Sequence, residues 1–286
     1  MELPEQAHPL GGGGRLDGHV IVVTGAGSRG EEFGIGRATA ITAALEGARV
    51  VLVDRSPGDA ERTAAMLGAD RADDVLVVQA DTTSESATQT VADAAQQRFG
   101  AIDGLVNNVG VIGAPGNAED LDLDAWRAGL DVNITSGMLM LRACLPQLRR
   151  SASRASVVNL SSVAGMWGGH PYLLYPTAKA AIINMTRAMA FHHGPEGIRV
   201  NAVAPGMVET PMVGGADMSE ELRRQRAASS PLGTPGTAWD VAKAIVFLLS
   251  TDARWINGVL LPVDAGLTAG APRPPVDADR LTADRG

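Results

Sequence analysis

The chain has 286 residues, 45% hydrophobic and 20% charged, an ordinary globular composition that excludes a disordered chain, a collagen or a disulfide scaffold. Its 24 basic and 32 acidic residues leave a formal charge of −8; with no basic stripe beyond Arg149-Arg150 and Arg223-Arg224, binding to nucleic acid is not expected. Cys144 is the single cysteine, which excludes an intrachain disulfide and a cysteine-cluster metal site, and no metal is expected. No run reaches the ~18–20 apolar residues of a membrane span, and no signal region opens the chain, so a soluble, cytoplasmic protein is expected.

Taken in order, residues 1–14 end in Gly11-Gly12-Gly13-Gly14 and read as a flexible tail. Short β-branched runs then alternate with alanine-rich stretches of helical period. The predicted strands are His19–Thr24, Arg49–Asp54, Val75–Gln79, Gly104–Asn107, Ser156–Leu160, Arg199–Val203 and Val259–Val263. The predicted helices cover residues 34–47, 58–67, 84–99, 120–150, 173–192, 219–228 and 237–250. The strands are apolar on both faces, as in a parallel sheet covered by helices. Residues 15–270 are therefore expected to form one α/β domain, a doubly wound (Rossmann-type) seven-stranded parallel sheet flanked by helices. Residues 271–286, proline-rich and then charged, read as a second flexible tail.

The first strand runs into Thr24-Gly25-Ala26-Gly27-Ser28-Arg29-Gly30-Glu31-Glu32-Phe33-Gly34-Ile35-Gly36, and a helix pattern follows at once. Glycines there allow a tight turn and a close approach of backbone to a pyrophosphate, and the helix N-terminus offers free N–H groups to the phosphates. The second strand ends in Asp54, 54 − 36 = 18 residues after the last glycine, near the ~20 of a ribose-binding acid. A carboxylate there accepts from ribose hydroxyls and repels a 2′-phosphate, which favours NAD over NADP. Arg29 and Arg55 beside it would tolerate that phosphate, and the turn is about five residues longer than the compact form of this motif. The Lys-[Ser/Thr] ending of an NTPase phosphate loop is absent.

The fifth strand ends at Ser161-Ser162; Tyr175 follows 13 residues after Ser162, and Lys179 four residues later. On a helix, positions i and i+4 share a face. An ammonium beside a phenol favours phenolate, so such a tyrosine serves as general acid or base toward an alcohol or carbonyl. Tyr172, with Pro176 four residues on, has no such partner. A surface tyrosine beside a solvated lysine is the plain alternative.

These motifs together resemble the short-chain dehydrogenase/reductase family over about Leu16 to Leu267. They are Thr24-Gly25…Gly34-Ile35-Gly36, Asp54, Ala80-Asp81-Thr82, Asn107-Asn108-Val109-Gly110, Asn133, Ser162, Tyr175-Pro176-Thr177-Ala178-Lys179 and Pro205-Gly206-Met207-Val208-Glu209-Thr210. The resemblance implies an oxidoreductase that moves hydride between NAD(H) and a secondary alcohol or ketone. Tyr175 would exchange the proton with the substrate oxygen and Ser162 would orient that oxygen. Lys179 would bind the nicotinamide ribose and lower the Tyr175 pKa, and Asn133 would hold a water relaying protons from Lys179. Gly25, Gly27, Ser28, Gly34, Ile35 and Gly36 would cradle the phosphates. Asp54 and Arg55 would meet the adenosine ribose, Asp81 and Thr82 the adenine, and Asn108 and Gly110 the ribose. Pro205, Gly206, Val208 and Thr210 would pack on the nicotinamide. The sequence departs from the family pattern at the 29–33 stretch, at Val109 and at Pro176, which a helix tolerates only in its first turn.

Candidate substrate contacts follow strand ends or flank the tyrosine: Ser162, Met166, Trp167, His170, Met207 and Met212, with Val111, Ile112 and Ala164 as further walls. His192-His193 reads as a favourable helix C-terminus and Cys144 as a small buried or interface residue. The resemblance also makes Gly214–Gln225 a mobile substrate lid. It pairs the helices Leu121–Arg150 and Leu173–His193 into a homodimer or homotetramer. An NADPH-dependent 3-oxoacyl thioester or ketone reductase is the rival within the class; a dinucleotide-binding protein without turnover is the rival outside it.

Overall fold

The computed structural model describes residues 14–214 and 217–270. The two expected tails, apart from Gly14, lie outside the described residues. Seven strands form one sheet: β1 (Val20–Thr24), β2 (Arg49–Asp54), β3 (Val75–Gln79), β4 (Gly104–Asn107), β5 (Ser156–Leu160), β6 (Arg199–Pro205) and β9 (Leu260–Val263). All pairs are parallel, in the order β3-β2-β1-β4-β5-β6-β9. Side chains alternate across the sheet: Ile21, Val23, Val50 and Leu52 enter one apolar cluster, and Val20, Val22, Val51 and Val53 enter the other. The apolar runs seen in the sequence follow from this, because each strand needs apolar residues at successive positions.

Helices α1 (Ile35–Leu45), α2 (Pro57–Met66) and α8 (Ala238–Leu249) cover the first face. Helices α3 (Glu85–Phe99), α5 (Ser136–Arg150) and α6 (Leu174–His193) cover the second. Cys144 on α5 is completely buried there, and burial pushes its thiol up to about 12. The chain runs outward from β1 through β2 to β3, then returns to place β4 on the other side of β1. Connections leave β1 and β4 in opposite directions, so a crevice opens at their carboxyl ends.

The single helix expected at 120–150 is divided. Helix α4 (Leu123–Leu130) passes into a five-residue π-helical turn, Asp131–Thr135, before α5 begins. The Asn133 side chain supplies a reason: its Nδ2 donates to the Gly129 carbonyl at 2.8 Å, the carbonyl an α-helical Asn133 amide would use. A two-residue parallel pair, β7 (Val208–Glu209) with β8 (Gly236–Thr237), is too short to show in hydrophobic periodicity. A charged helix, α7 (Glu220–Ala228), lies between them in sequence. Pro176 is the third residue of α6, inside the first turn, where amides have no intrahelical acceptor. No helix among the described residues is long and apolar enough to cross a membrane.

Candidate active site

The glycine turn joins β1 to α1 at the crevice. Gly25 has φ +62°, a conformation that glycine adopts freely. A Cβ on Gly36 would lie 1.9 Å from the Gly25 carbonyl oxygen, so α1 meets the strand end only because side chains are absent there. From β4, Asn108 Nδ2 donates to the Thr24 and Gly25 carbonyls, both at 3.1 Å, and the Asn108 amide donates to Thr24 Oγ1 at 3.0 Å. These bonds tie the two strands together across the switch point. Asp54 Oδ2 accepts from the Gly27 amide at 3.0 Å and Oδ1 from the Ser56 amide at 3.0 Å. The carboxylate is thereby fixed where β2 meets the turn.

Tyr175 and Lys179 lie one turn apart on α6, with Lys179 Nζ 5.6 Å from the Tyr175 ring centroid. Lys179 is 3% exposed and donates to the Leu160 carbonyl at 3.0 Å. Burial raises the Tyr175 phenol above its ordinary range, partly offset by a hydrogen bond with Ser162, and pulls the Lys179 ammonium down to about 8. The expected lowering of Tyr175 by Lys179 is therefore not what the protein alone presents. Both groups have lost water, which favours the neutral form of each. Ser161 Oγ donates to the Lys179 carbonyl at 2.8 Å, and a Cβ on Gly165 would lie 2.5 Å from the Lys179 carbonyl carbon. The segment after β5 thus packs directly on α6, bringing Ser162 to Tyr175.

Asn133 sits in the π-turn. Its Oδ1 accepts from the Val111 amide at 3.2 Å, and Nδ2 donates to the Val111 carbonyl at 3.0 Å as well as to Gly129. The side chain is committed to holding the 111 loop. A Cβ on Gly110 would stand 3.0 Å from Asn133 Oδ1 and 3.1 Å from Lys179 Nζ, so the two groups flank one glycine. Next to them is a cavity of about 10 Å³ lined by Asn107, Asn133, Ser136 and Asn159. That is about the room one water needs, and the buried Asn107 Oδ1 has no protein partner.

A cleft of about 630 Å³ runs along the carboxyl ends of the strands, within the size range of a ligand pocket. Every residue assigned above to the dinucleotide lines it: Gly25, Gly27, Ser28, Gly34, Ile35, Gly36, Asp54, Arg55, Asp81, Thr82, Asn108, Gly110, Tyr175, Lys179, Pro205, Gly206, Val208 and Thr210. The chemistry fits an extended dinucleotide, with a glycine-rich phosphate cradle at a helix N-terminus and a fixed acid 18 residues beyond it. Of the substrate candidates, Ser162 and Met212 line the cleft, as do Val111 and Ile112. Met166, Trp167, His170, Met207 and Ala164 do not. Met166, Trp167 and Met207 are instead 41%, 43% and 39% exposed, and the His170 ring packs on Tyr175 with centroids 5.1 Å apart. Nearness in sequence to the tyrosine or a strand end does not determine which way a loop residue faces.

Two arginines escaped sequence reasoning. Arg226 on α7 lines the cleft, donates to the Val208 carbonyl at 3.2 Å, and has a buried Nε with no protein partner. It lies in a stretch so charged that it reads as a solvated face. Arg37 on α1 is completely buried under the glycine turn, although no carboxylate at helical spacing in the sequence foretells this. His193, read as a helix C-terminus, pairs its Nδ1 with Glu196 Oε2 at 3.1 Å. No cluster of three potential metal ligands occurs among the described residues.

A parallel sheet with this strand order, a glycine turn at its switch point and a tyrosine–lysine pair in the same cleft define a nicotinamide-dependent oxidoreductase of the Rossmann type. Residues 30–268 match the family described as Enoyl-(Acyl carrier protein) reductase. The chain is 40% identical to 2-(S)-hydroxypropyl-CoM dehydrogenase 3 of Xanthobacter autotrophicus, over 89% of this chain and 98% of that protein. It is 38% identical to cis-4-hydroxycyclohexanecarboxylate dehydrogenase of Sinomonas cyclohexanicum, over 87% and 96%. The crystal structure of levodione reductase superposes with a TM-score of 0.82 at 33% identity, covering 90% of this chain and all of that one. The chain belongs to the short-chain dehydrogenase/reductase family, as an enzyme acting on CH–OH groups with a nicotinamide cofactor.

The buried lysine has a consequence for stability. An ordinary lysine titrates at 10.5, and here burial brings that to about 8. Between those pH values the unfolded chain binds a proton that the native protein has released, so the cost of burying the ammonium is complete below pH 8 and disappears as pH rises toward 10.5. Lys179→Met is expected to be more stable than wild type at pH 7 by up to about 3 kcal/mol, the gain shrinking above pH 8. Urea denaturation of both proteins from pH 7 to 10 checks this; an equal or lower stability of the Met protein at pH 7 contradicts it.

Proposed function

We propose that the protein is an NAD(H)-dependent dehydrogenase of secondary alcohols, with Tyr175 as general base in oxidation and general acid in reduction. One observation carries this reading: Ser162, Tyr175 and Lys179 share a single cleft with the glycine turn and Asp54. When bound, the nicotinamide ring supplies the hydride acceptor or donor. The Tyr175 oxygen takes the proton from the substrate hydroxyl, and Ser162 orients that hydroxyl. Lys179, already desolvated, contributes the positive charge that favours phenolate when it holds its proton, and it binds the nicotinamide ribose. Protons leave through a water beside Asn133. Tyr175→Phe is expected to lower kcat by a factor of about 10²–10⁴ while NADH binding, read by its fluorescence, stays within a few fold. Turnover at the wild-type rate sinks the mechanism.

Preference for NAD rests on Asp54, whose carboxylate is anchored at the ribose end and repels a 2′-phosphate. Arg29 and Arg55 line the same end, which keeps an NADPH-dependent ketone reductase as the second reading. The ratio of kcat/KM for NAD to that for NADP is expected to exceed tenfold and to collapse in Asp54→Ala. A ratio favouring NADP in the wild type selects the second reading.

The protein is proposed to work in the cytoplasm as a homotetramer built through α5 and α6. Phe191 at the end of α6 and Trp255 beyond α8 are 81% and 90% exposed on the single chain, and burying them between copies would remove apolar surface from water. Sedimentation equilibrium is expected to give four chains per particle, and a monomer at micromolar concentration rejects the assembly.

A further inference from the structure

The phosphate turn is longer than a strand–helix turn requires, and the structure fills the extra length with one side chain. Arg37 projects from the first turn of α1 and is completely buried. A guanidinium has five N–H donors, and all five are used. Nε donates to Thr63 Oγ1 at 3.1 Å. Nη1 donates to the Gly30 carbonyl at 2.9 Å and the Glu32 carbonyl at 2.7 Å. Nη2 donates to the Ser28 carbonyl at 2.8 Å and the Asp59 carbonyl at 3.4 Å. Thr63 Oγ1 in turn donates to the Ala26 carbonyl at 2.8 Å, so α2 joins the same network. A charge removed from water is tolerated only when its donors are satisfied, and here the backbone of the turn satisfies most of them.

The rest of the loop is shaped around that centre. Ser28 Oγ accepts from the Gly34 amide at 3.2 Å, which clasps the two ends of the stretch. Phe33 packs on Trp239 of α8 with ring centroids 4.9 Å apart. Gly30 takes φ +59°, which lets alternate carbonyls turn inward. In a trans peptide the carbonyl and the following N–H point in opposite directions, and no peptide bond among the described residues is cis. Because the carbonyls of Ser28, Gly30 and Glu32 face the guanidinium, the N–H groups of Arg29, Glu31 and Phe33 face away from it. The roots of the loop, Ser28, Arg29 and Gly34, line the cleft; residues 30–33 do not.

We propose that Arg37 is a positioning residue: its guanidinium templates the 28–34 loop so that the roots of the loop are already placed for the dinucleotide phosphates before the dinucleotide arrives. The proposal rests on the dinucleotide reading of the cleft. Without Arg37 the loop carbonyls lose their common partner, the stretch 29–33 opens to solvent, and binding must first order it.

The test uses two readouts on the full-length protein. Exposed Arg29 is a trypsin site within the loop. Arg37→Met is expected to speed cleavage after Arg29 at least tenfold in the absence of dinucleotide and to weaken NADH binding at least tenfold, with kcat at saturating dinucleotide within threefold of wild type. Arg37→Lys is expected to fall between the two, because an ammonium reaches fewer of the acceptors. A second pair guards against a variant that fails to fold. Deleting residues 29–33 leaves the compact turn Gly25-Ala26-Gly27-Ser28-Gly34-Ile35-Gly36, and in that background Arg37→Met is expected to change NADH affinity less than threefold. Wild-type cleavage and affinity in Arg37→Met, or an undiminished tenfold loss in the deletion background, overturns the proposal. If the wild type binds neither NADH nor NADPH, the dinucleotide reading fails instead, while the trypsin comparison still reports whether Arg37 holds the loop.

Discussion

The site exists because the parallel sheet divides between β1 and β4. Connections leave these neighbours in opposite directions, so no helix covers their carboxyl ends. A crevice at that point needs bracing, and Asn108 provides it with three hydrogen bonds to Thr24 and Gly25. On one side of the brace lie the glycine turn and Asp54; on the other, Ser162, Tyr175 and Lys179. The dinucleotide end and the chemical end are thus placed by the same pair of strands.

Behind the cleft, polar groups that a core would normally exclude are held in a chain. Asn107 Nδ2 donates to Asn159 Oδ1 at 2.9 Å, and Asn159 Nδ2 donates to Thr186 Oγ1 at 2.9 Å. This links β4, β5 and α6, and so sets how α6 sits over the sheet. Apart from Asn107 Oδ1, beside the water-sized cavity, its side-chain amides are paired, and such a network specifies one packing arrangement, since any shift leaves a further donor or acceptor unpaired. Lys179 is the exception that function requires. Its ammonium donates to the Leu160 carbonyl and has almost no water, an arrangement that weakens the fold and leaves the charge available to a neighbouring phenol.

The sheet was legible because its strands are buried on both faces, which makes Val20–Val23 and Val50–Val53 continuous apolar runs. The cleft residues were legible for a related reason: each follows a strand end or sits at fixed spacing on a helix. The π-turn was hidden, because it follows from a side chain of Asn133 taking a backbone acceptor, which leaves no periodic trace. Arg37 looked like one more residue of a helix start, and its five acceptors come from two segments, the glycine turn and α2, that only folding brings together. Met166, Trp167 and Met207 are exposed and lie outside the cleft lining, a direction that residue type and chain position do not encode.

Cys144 ties these packing arguments to something that can be followed in solution. Its sulfur is sealed between α5 and the sheet and resists ionisation, so it is closed to oxidants and alkylating reagents as long as that layer stays shut. The molecule therefore carries a single built-in clock for transient opening of its second face: each labelled thiol records one excursion in which α5 lifted away.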